Sequence, residues 1–300
     1  MISAPISNIS HASLEDGSGL RTVVFFAGCN MRCLWCHNPE SLSGVSRLMI
    51  YSAKCVGCLE CRTMKCAAMV SGASAYDASL CRLCGECADV CLGEAIRLSC
   101  RQMSTDEVFA DVIRDASYYK LSGGGITLSG GECLLYPDFA KELLTLSKQA
   151  GIGTCIETAL FVPRKNIERV LGLADKFFID IKLIDEEMHK KYTGVSNRSI
   201  LENARWLIST HHDVTVRVPL IPGVTDTEEN LDGIAAFVSS VKAAGKIDLE
   251  LLRYNPLAEA KYEALGKSHT VFGSAHSDAE LATIAERLSQ AFPNFTIKYR

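Results

Sequence analysis

No apolar run in this 300-residue chain approaches the ~18 residues needed to cross a bilayer. Its opening, Met1-Ile2-Ser3-Ala4-Pro5, lacks both the basic start and the apolar core of a secretory signal. Neither a membrane partner nor export is therefore expected, and the cytoplasm is the expected compartment. Basic charge is also lacking: 31 Lys and Arg stand against 35 Asp and Glu, a formal net charge of -4. A nucleic-acid partner would show instead as a basic patch or a high isoelectric point, so none is expected. With 48% hydrophobic and 22% charged residues, the chain is not short of apolar surface, which excludes disorder and supports a substantial core. What it has in abundance is cysteine, 14 residues. In a reducing compartment clustered thiols bind metal rather than pair as disulfides.

Three of the cysteines fall in one short stretch, Cys29-Asn30-Met31-Arg32-Cys33-Leu34-Trp35-Cys36, directly behind the apolar run Thr22 to Ala27. Thiolates crowded into one loop suit a soft metal centre, and iron-sulfur clusters are the centres most often held by cysteine alone. A four-iron cluster on three ligands leaves one iron open to something that is not protein. A half-formed zinc site, or reduced cysteines of the core, is the alternative. The C-x3-C-x2-C spacing, with an aromatic residue before the third cysteine, resembles the signature of the radical S-adenosylmethionine (SAM) enzymes. That resemblance implies that the amino and carboxylate groups of SAM occupy the open iron.

Arg21 to Ala27 reads as a strand buried on both faces, which puts the cysteine loop at its C-terminal end. In barrels of parallel strands that end carries the chemistry. Strands are expected again at 125–128, 153–156, 177–181, 214–219 and 247–252. Helices are expected near 137–150, 163–172, 185–210 in two pieces and 226–244, with a last strand at 295–299. Ser104 with Glu107, and Ser277 with Glu280, are capping-box pairs that open further helices. Six strands alternating with helices predict an α/β fold with a parallel sheet, a partial (βα)6 TIM-like barrel two units short of closure. An open side would admit a large substrate.

Between these elements lie two similar blocks, Cys55-x2-Cys58-x2-Cys61-x4-Cys66 and Cys81-x2-Cys84-x2-Cys87-x3-Cys91. They resemble a bacterial two-cluster ferredoxin, in which the last cysteine of each block crosses to the other cluster. The resemblance implies one [4Fe-4S] cluster on Cys55, Cys58, Cys61 and Cys91, and a second on Cys81, Cys84, Cys87 and Cys66. Zinc is the rival occupant. The expected organisation is thus residues 1–47 as the start of the barrel with the cluster loop, 48–100 as a ferredoxin-like insertion, and 101–300 as the remainder of the barrel. Cys100, Cys133 and Cys155 are isolated and read as small buried apolar residues.

Polar residues recur at the strand ends: Gly130-Gly131-Glu132, Glu157-Thr158, Asp180-x-Lys182, Arg217 and Asn255. Glycines at a strand end let backbone approach a ligand, and a carboxylate there can accept from an ammonium. Asp180 and Lys182, two apart on one strand, share a face and could equally be a structural ion pair. Taken with Asp16-Gly17-x-Gly19-Leu20-Arg21, Cys36-His37-Asn38-Pro39-Glu40 and Arg217-x-Pro219-Leu220-Ile221-Pro222-Gly223, these motifs resemble the glycyl-radical-enzyme activating enzymes over nearly the whole chain. The inserted segment is similar to that of a subgroup of them. Cys133 and Asn255 stand where the usual pattern has other residues.

The resemblance implies an oxidoreductase carrying three [4Fe-4S] clusters. The cluster on Cys29, Cys33 and Cys36 passes one electron to SAM, and the 5'-deoxyadenosyl radical so formed takes a hydrogen from one glycine of a partner glycyl-radical enzyme. It further implies Trp35 and His37 beside the adenine, Gly130, Gly131 and Glu132 by the amino group, and Asp180 and Lys182 by the carboxylate and ribose. Arg217 and Asn255 join the cofactor contacts. Glu157, Thr158 and Phe178 would surround a monovalent cation, and Asp16 would face the incoming glycyl loop. A flavodoxin or ferredoxin would supply electrons. Two alternatives are a radical enzyme acting on a small molecule or peptide, and an electron carrier whose eight-cysteine segment is the working part.

Overall fold

A computed structural model of the chain describes residues 2–69, 72–73 and 76–300. Its strands are β1 (Ser3–Ser13), β2 (Arg21–Phe26), β3 (Leu48–Ile50), β4 (Ile96–Leu98), β5 (Arg101–Ser104), β6 (Gly125–Gly130), β7 (Gly153–Thr158), β8 (Lys176–Asp180), β9 (Asp213–Leu220), β10 (Lys246–Arg253) and β11 (Thr296–Tyr299). The α-helices are α1 (Glu60–Thr63), α2 (Glu86–Asp89), α3 (Thr105–Val112), α4 (Ala116–Ser122), α5 (Pro137–Gln149), α6 (Arg164–Glu168), α7 (Glu186–Thr193), α8 (Arg198–Thr210), α9 (Glu228–Ser239), α10 (Glu259–Ala264) and α11 (Asp278–Ala291). Nine strands form one sheet in the order β11-β10-β9-β8-β7-β6-β2-β1-β5, and β3 pairs only with β4. Every pairing from β2 through β6 to β11 is parallel. β1 and β5 add an antiparallel edge that the sequence pattern did not suggest. Among the described residues no helix is long and apolar enough to cross a membrane.

Strand β2 is buried on both faces, as its apolar run predicts, whereas β6 to β10 alternate apolar and polar side chains. Ile126, Leu128, Ile156, Phe177, Ile179, Val214, Val216, Val218, Leu249 and Leu251 pack against the helices in one continuous core. Their neighbours Thr127, Ser129, Glu157, Asp180, Thr215, Arg217, Asp248 and Glu250 therefore turn to the opposite face, since successive side chains of a strand point opposite ways. Side chains are kept in register across this polar face: Asp180 lies opposite Arg217, and Arg217 opposite Glu250.

The helices form where caps and period agree. Ser104 and Ser277 each make a complete capping box with Glu107 and Glu280. Asp185 accepts from the Met188 N–H to open α7, and Gly194 closes it in the left-handed region. α5 starts on Pro137 and buries Phe139, Ala140, Leu143 and Leu144 on one stripe.

Residues 48–98 leave and rejoin the domain through the β3–β4 ladder, with Leu48 opposite Leu98 and Ile50 opposite Ile96. This segment has a small core of its own, Leu48, Met69, Cys87 and Ile96, with Cys61, Cys66 and Cys91 packed around it. So few apolar side chains cannot offset the ordering of fifty residues, and the segment has little regular structure.

Candidate active site

The end of β2 and the end of β6 meet through backbone. The Gly131 N–H donates to the Phe26 carbonyl at 2.8 Å, the Glu132 N–H to the Gly28 carbonyl at 2.8 Å, and the Gly28 N–H to the Ser41 carbonyl at 2.8 Å. A Cβ on Gly131 would fall 2.3 Å from the Gly28 oxygen and 2.6 Å from that of Ser41, so only glycine admits this approach. The result is a cysteine loop seated on the strand end.

Beside that loop lies a cavity of about 430 Å³ lined by Cys29, Cys33, Trp35, Cys36 and His37 together with Gly130, Gly131, Thr158, Asp180, Lys182 and Arg217. Residues from β2, β6, β7, β8, β9 and β10 line it, so the sheet curls around its mouth. Its size is that of a pocket for a small cofactor. Among the described residues, these three cysteines are the only ones in its lining. Burial pushes the Cys33 thiol up to about 12 and the Cys36 thiol to about 11, and it raises Cys29 as well. Neighbouring sulfurs add to the rise at Cys33 and Cys36, which shows that the three are close together. Lys182 opposes the shift at all three and is the compensating charge.

Lys182 donates to Asp180 Oδ2 at 2.6 Å, and both line the cavity, so the pair is at once an ion pair and part of the site. Trp35 is buried against Leu183, Ile221, Val224 and Tyr254. His37 Nε2 is buried without a hydrogen-bond partner, a donor or acceptor left for a ligand.

Three expected residues, Glu132, Arg217 and Asn255, sit differently from what a bare motif suggests. Glu132 is 1% exposed and lies beneath the cavity, its carboxylate accepting from Thr158 Oγ1 at 2.9 Å, the Ala159 N–H at 3.0 Å and the Leu134 N–H at 3.1 Å. Burial raises it to about 7 against these bonds. Arg217 is held by Glu157 and by Glu250 Oε2 at 2.6 Å, with its guanidinium 3.7 Å from the centre of the Phe178 ring. The space among Glu157, Thr158 and Phe178 expected for a monovalent cation thus has the Arg217 cation against it. Asn255 is exposed, and its side chain accepts from the Leu257 N–H at 2.9 Å, outside the cavity. Tyr254, its buried neighbour, packs beside Trp35 instead.

Asp16 lines the cavity from the β1–β2 turn. The turn is fixed from below: Arg21, 2% exposed, donates to Thr127 Oγ1 at 2.7 Å, and Thr127 donates to the Asp16 carbonyl at 2.7 Å.

In the inserted segment, burial pushes the Cys87 thiol up to about 11, and the sulfurs of Cys81, Cys84 and Cys66 contribute next. The sulfurs of Cys81, Cys84 and Cys66 thus lie near that of Cys87. A Cβ on Gly93 would fall 2.6 Å from the Lys54 carbonyl and 3.6 Å from Val56, so the chain just after Cys91 runs against the loop carrying Cys55. A single zinc ion would need its sulfurs about 2.3 Å away. Among the described residues, no three His, Cys, Asp or Glu side chains are gathered to hold one ion in that way.

Residues 23–233 match the radical SAM superfamily. The chain is 37% identical to the indoleacetate decarboxylase activating enzyme of Tractidigestivibacter scatoligenes, over 95% of this chain and 94% of that protein. It is 37% identical to the (2S)-3-sulfopropanediol dehydratase activating enzyme of Klebsiella oxytoca, over 87% and 85%. It is 33% identical to the pyruvate formate-lyase 2-activating enzyme of Escherichia coli K12, over 98% and 92%. Among solved structures, a radical SAM methyltransferase from Sphaerobacter thermophilus shares the fold, with a TM-score of 0.52 at 15% identity over 99% of this chain and 77% of that one.

Proposed function

The chain belongs to the radical SAM superfamily and, within it, to the activating enzymes of glycyl-radical enzymes, and from that premise we propose how its own residues serve the reaction. It is an oxidoreductase that carries a [4Fe-4S] cluster, binds SAM and activates a glycyl-radical enzyme. When bound, the cluster and SAM supply a one-electron cleavage that yields the radical able to take hydrogen from a glycine.

The observation that carries the proposed site is the shared cavity of Cys29, Cys33 and Cys36 with Asp180, Lys182 and the glycines of β6. Cys29, Cys33 and Cys36 hold the cluster, and the absence of a fourth lining cysteine fits an iron left for the cofactor. Gly130 and Gly131 offer backbone to the cofactor's amino group. Lys182 meets its carboxylate, with Asp180 holding that ammonium in place. Trp35 and His37 bracket the adenine, and the unpartnered His37 Nε2 supports that assignment. Glu132 acts through the backbone it ties together, and Arg217 with Glu157 and Phe178 walls the interior. Asp16 stands at the mouth, where the glycyl loop of the partner enters.

We read the sheet as a partial (βα)6 barrel interrupted by residues 48–100, which hold two further [4Fe-4S] clusters. The grouping of Cys66 with Cys81, Cys84 and Cys87 supports the crossed pairing, and it leaves Cys55, Cys58, Cys61 and Cys91 for the other cluster. A soluble one-electron carrier, flavodoxin or ferredoxin, is the donor, and the cytoplasm is the compartment where it works. The test is SAM cleavage by the anaerobically reduced protein. Wild type should release 5'-deoxyadenosine and methionine, and Cys33→Ala should release neither. Cleavage at wild-type rate by the variant would overturn the assignment.

A further inference from the structure

Cys29 lines two cavities. One is the site above; the other, of about 480 Å³, lies behind the cysteine loop, between that loop, the root of the β3–β4 ladder and the chain just past α10. The charged residues of this second cavity are Arg32, Glu40, Arg47 and Lys267. Glu40 is engaged by Lys261 Nζ at 2.9 Å, which leaves three exposed cations on a chain of formal net charge -4. Arg32 is fixed there by donating to the Cys29 carbonyl at 2.5 Å and the Met31 carbonyl at 2.6 Å. Arg47 and Leu265 also line a neighbouring cavity of about 600 Å³, and that cavity reaches Cys81. The seam, basic except for Glu40 and for Glu263 in the neighbouring cavity, therefore runs from Cys29 to Cys81, cysteines assigned to two different clusters.

We infer that this seam is the docking site of the electron donor, an acidic carrier protein with its redox group near its surface. The inference rests on the cluster assignment to Cys29, Cys33 and Cys36. The front cavity has to admit the partner's glycine and shut out water while hydrogen is transferred, so it is unsuited to a second protein. Cys29 is the ligand of that cluster that a second face reaches. Opposite charge across the seam would speed encounter and set orientation, as it does for other steered complexes. The step is balanced: one electron leaves the reduced carrier, which is oxidised by one, and the cluster is reduced by one, with no bond made or broken.

The test is the affinity of a bacterial flavodoxin for the holoenzyme, measured by calorimetry at low and high salt. Arg47→Glu with Lys267→Glu should weaken binding about tenfold at low salt and flatten its salt dependence. Iron content, and SAM cleavage driven by dithionite, should not change. Lys54→Glu with Lys65→Glu, two exposed lysines of the insertion that line neither cavity, should leave affinity as it was. Should the double Glu variant misfold, Arg47→Gln with Lys267→Gln should still weaken binding about threefold. Unchanged flavodoxin affinity in the seam variants would overturn the inference. So would a loss confined to the Lys54 and Lys65 variant, or a loss of affinity for the glycyl-radical partner alone. Absence of dithionite-driven cleavage in wild type would instead count against the cluster assignment.

Discussion

Replacing Glu132 tests what a fully buried carboxylate contributes at the strand end. Its two oxygens accept from Thr158 Oγ1, the Ala159 N–H and the Leu134 N–H, and it is 1% exposed. Glu132→Ala leaves those three donors without an acceptor, at about 1–3 kcal/mol each, so a loss of roughly 4 kcal/mol is expected. Glu132→Gln keeps one oxygen but aims an amide donor at other donors, and roughly 2 kcal/mol should be lost near neutral pH. The pH dependence separates this from simple loss of packing. Burial raises the carboxyl from 4.5 to about 7 in the fold. The folded protein then binds the proton more tightly than the unfolded chain. The wild-type stability from this group is greatest below the unfolded value and falls as pH rises to about 7, by on the order of 3 kcal/mol. The Gln variant lacks that dependence, so the advantage of wild type over it should be larger at pH 5 than at pH 8. Anaerobic urea unfolding followed by circular dichroism at both values is the assay. An advantage that is flat with pH, or an Ala variant within 1 kcal/mol of wild type, would refute the reasoning.

Three further outcomes are expected. Arg217→Leu strands Glu157 in the interior and leaves Glu250 to Arg300 at 3.6 Å, and should cost about 3–5 kcal/mol, read as a lowered urea midpoint; an unchanged midpoint would mean that Glu157 finds water. Gly131→Ala forces a Cβ to within 2.3 Å of the Gly28 carbonyl, so the cysteine loop must move, and iron content should fall by about four per chain with SAM cleavage lost. Cys66→Ala and Cys84→Ala should each remove the same cluster, leaving about eight irons per chain and identical spectra, because both side with Cys87. Two different residual spectra would contradict that pairing.

The cluster loop, the parallel strands and the caps of α3 and α11 were legible in the sequence because each rests on a short local pattern. Strand β1 was not legible: Ser-Ala-Pro-Ile-Ser-Asn-Ile-Ser-His-Ala-Ser carries a proline and few apolar residues, and it is a strand because β2 and β5 flank it. The three-residue strands β3 and β4 gave no periodic signal either. The polar interior face could have been read from alternation, since Ile126-Thr127-Leu128-Ser129 and Leu249-Glu250-Leu251 switch character at every step. The continuous apolar run of β2 drew attention away from it. At the site, the expected residues were mostly named, but their orientation was not: that Glu132 turns under the loop and Arg217 toward Glu157 depends on partners 27 and 60 residues away. Tyr254 rather than Asn255 packs beside Trp35: both lie just past the end of β10, where Tyr254 is buried and Asn255 is exposed and accepts from the Leu257 N–H.

The most direct measurement is electron paramagnetic resonance on the reduced, reconstituted protein mixed with SAM and its glycyl-radical enzyme partner. A glycyl doublet should appear on the partner, split by its α-hydrogen, and should vanish with Cys29→Ala or when the partner's glycine is replaced by alanine. Full SAM cleavage without any partner signal would contradict the account and point to a small-molecule or peptide substrate.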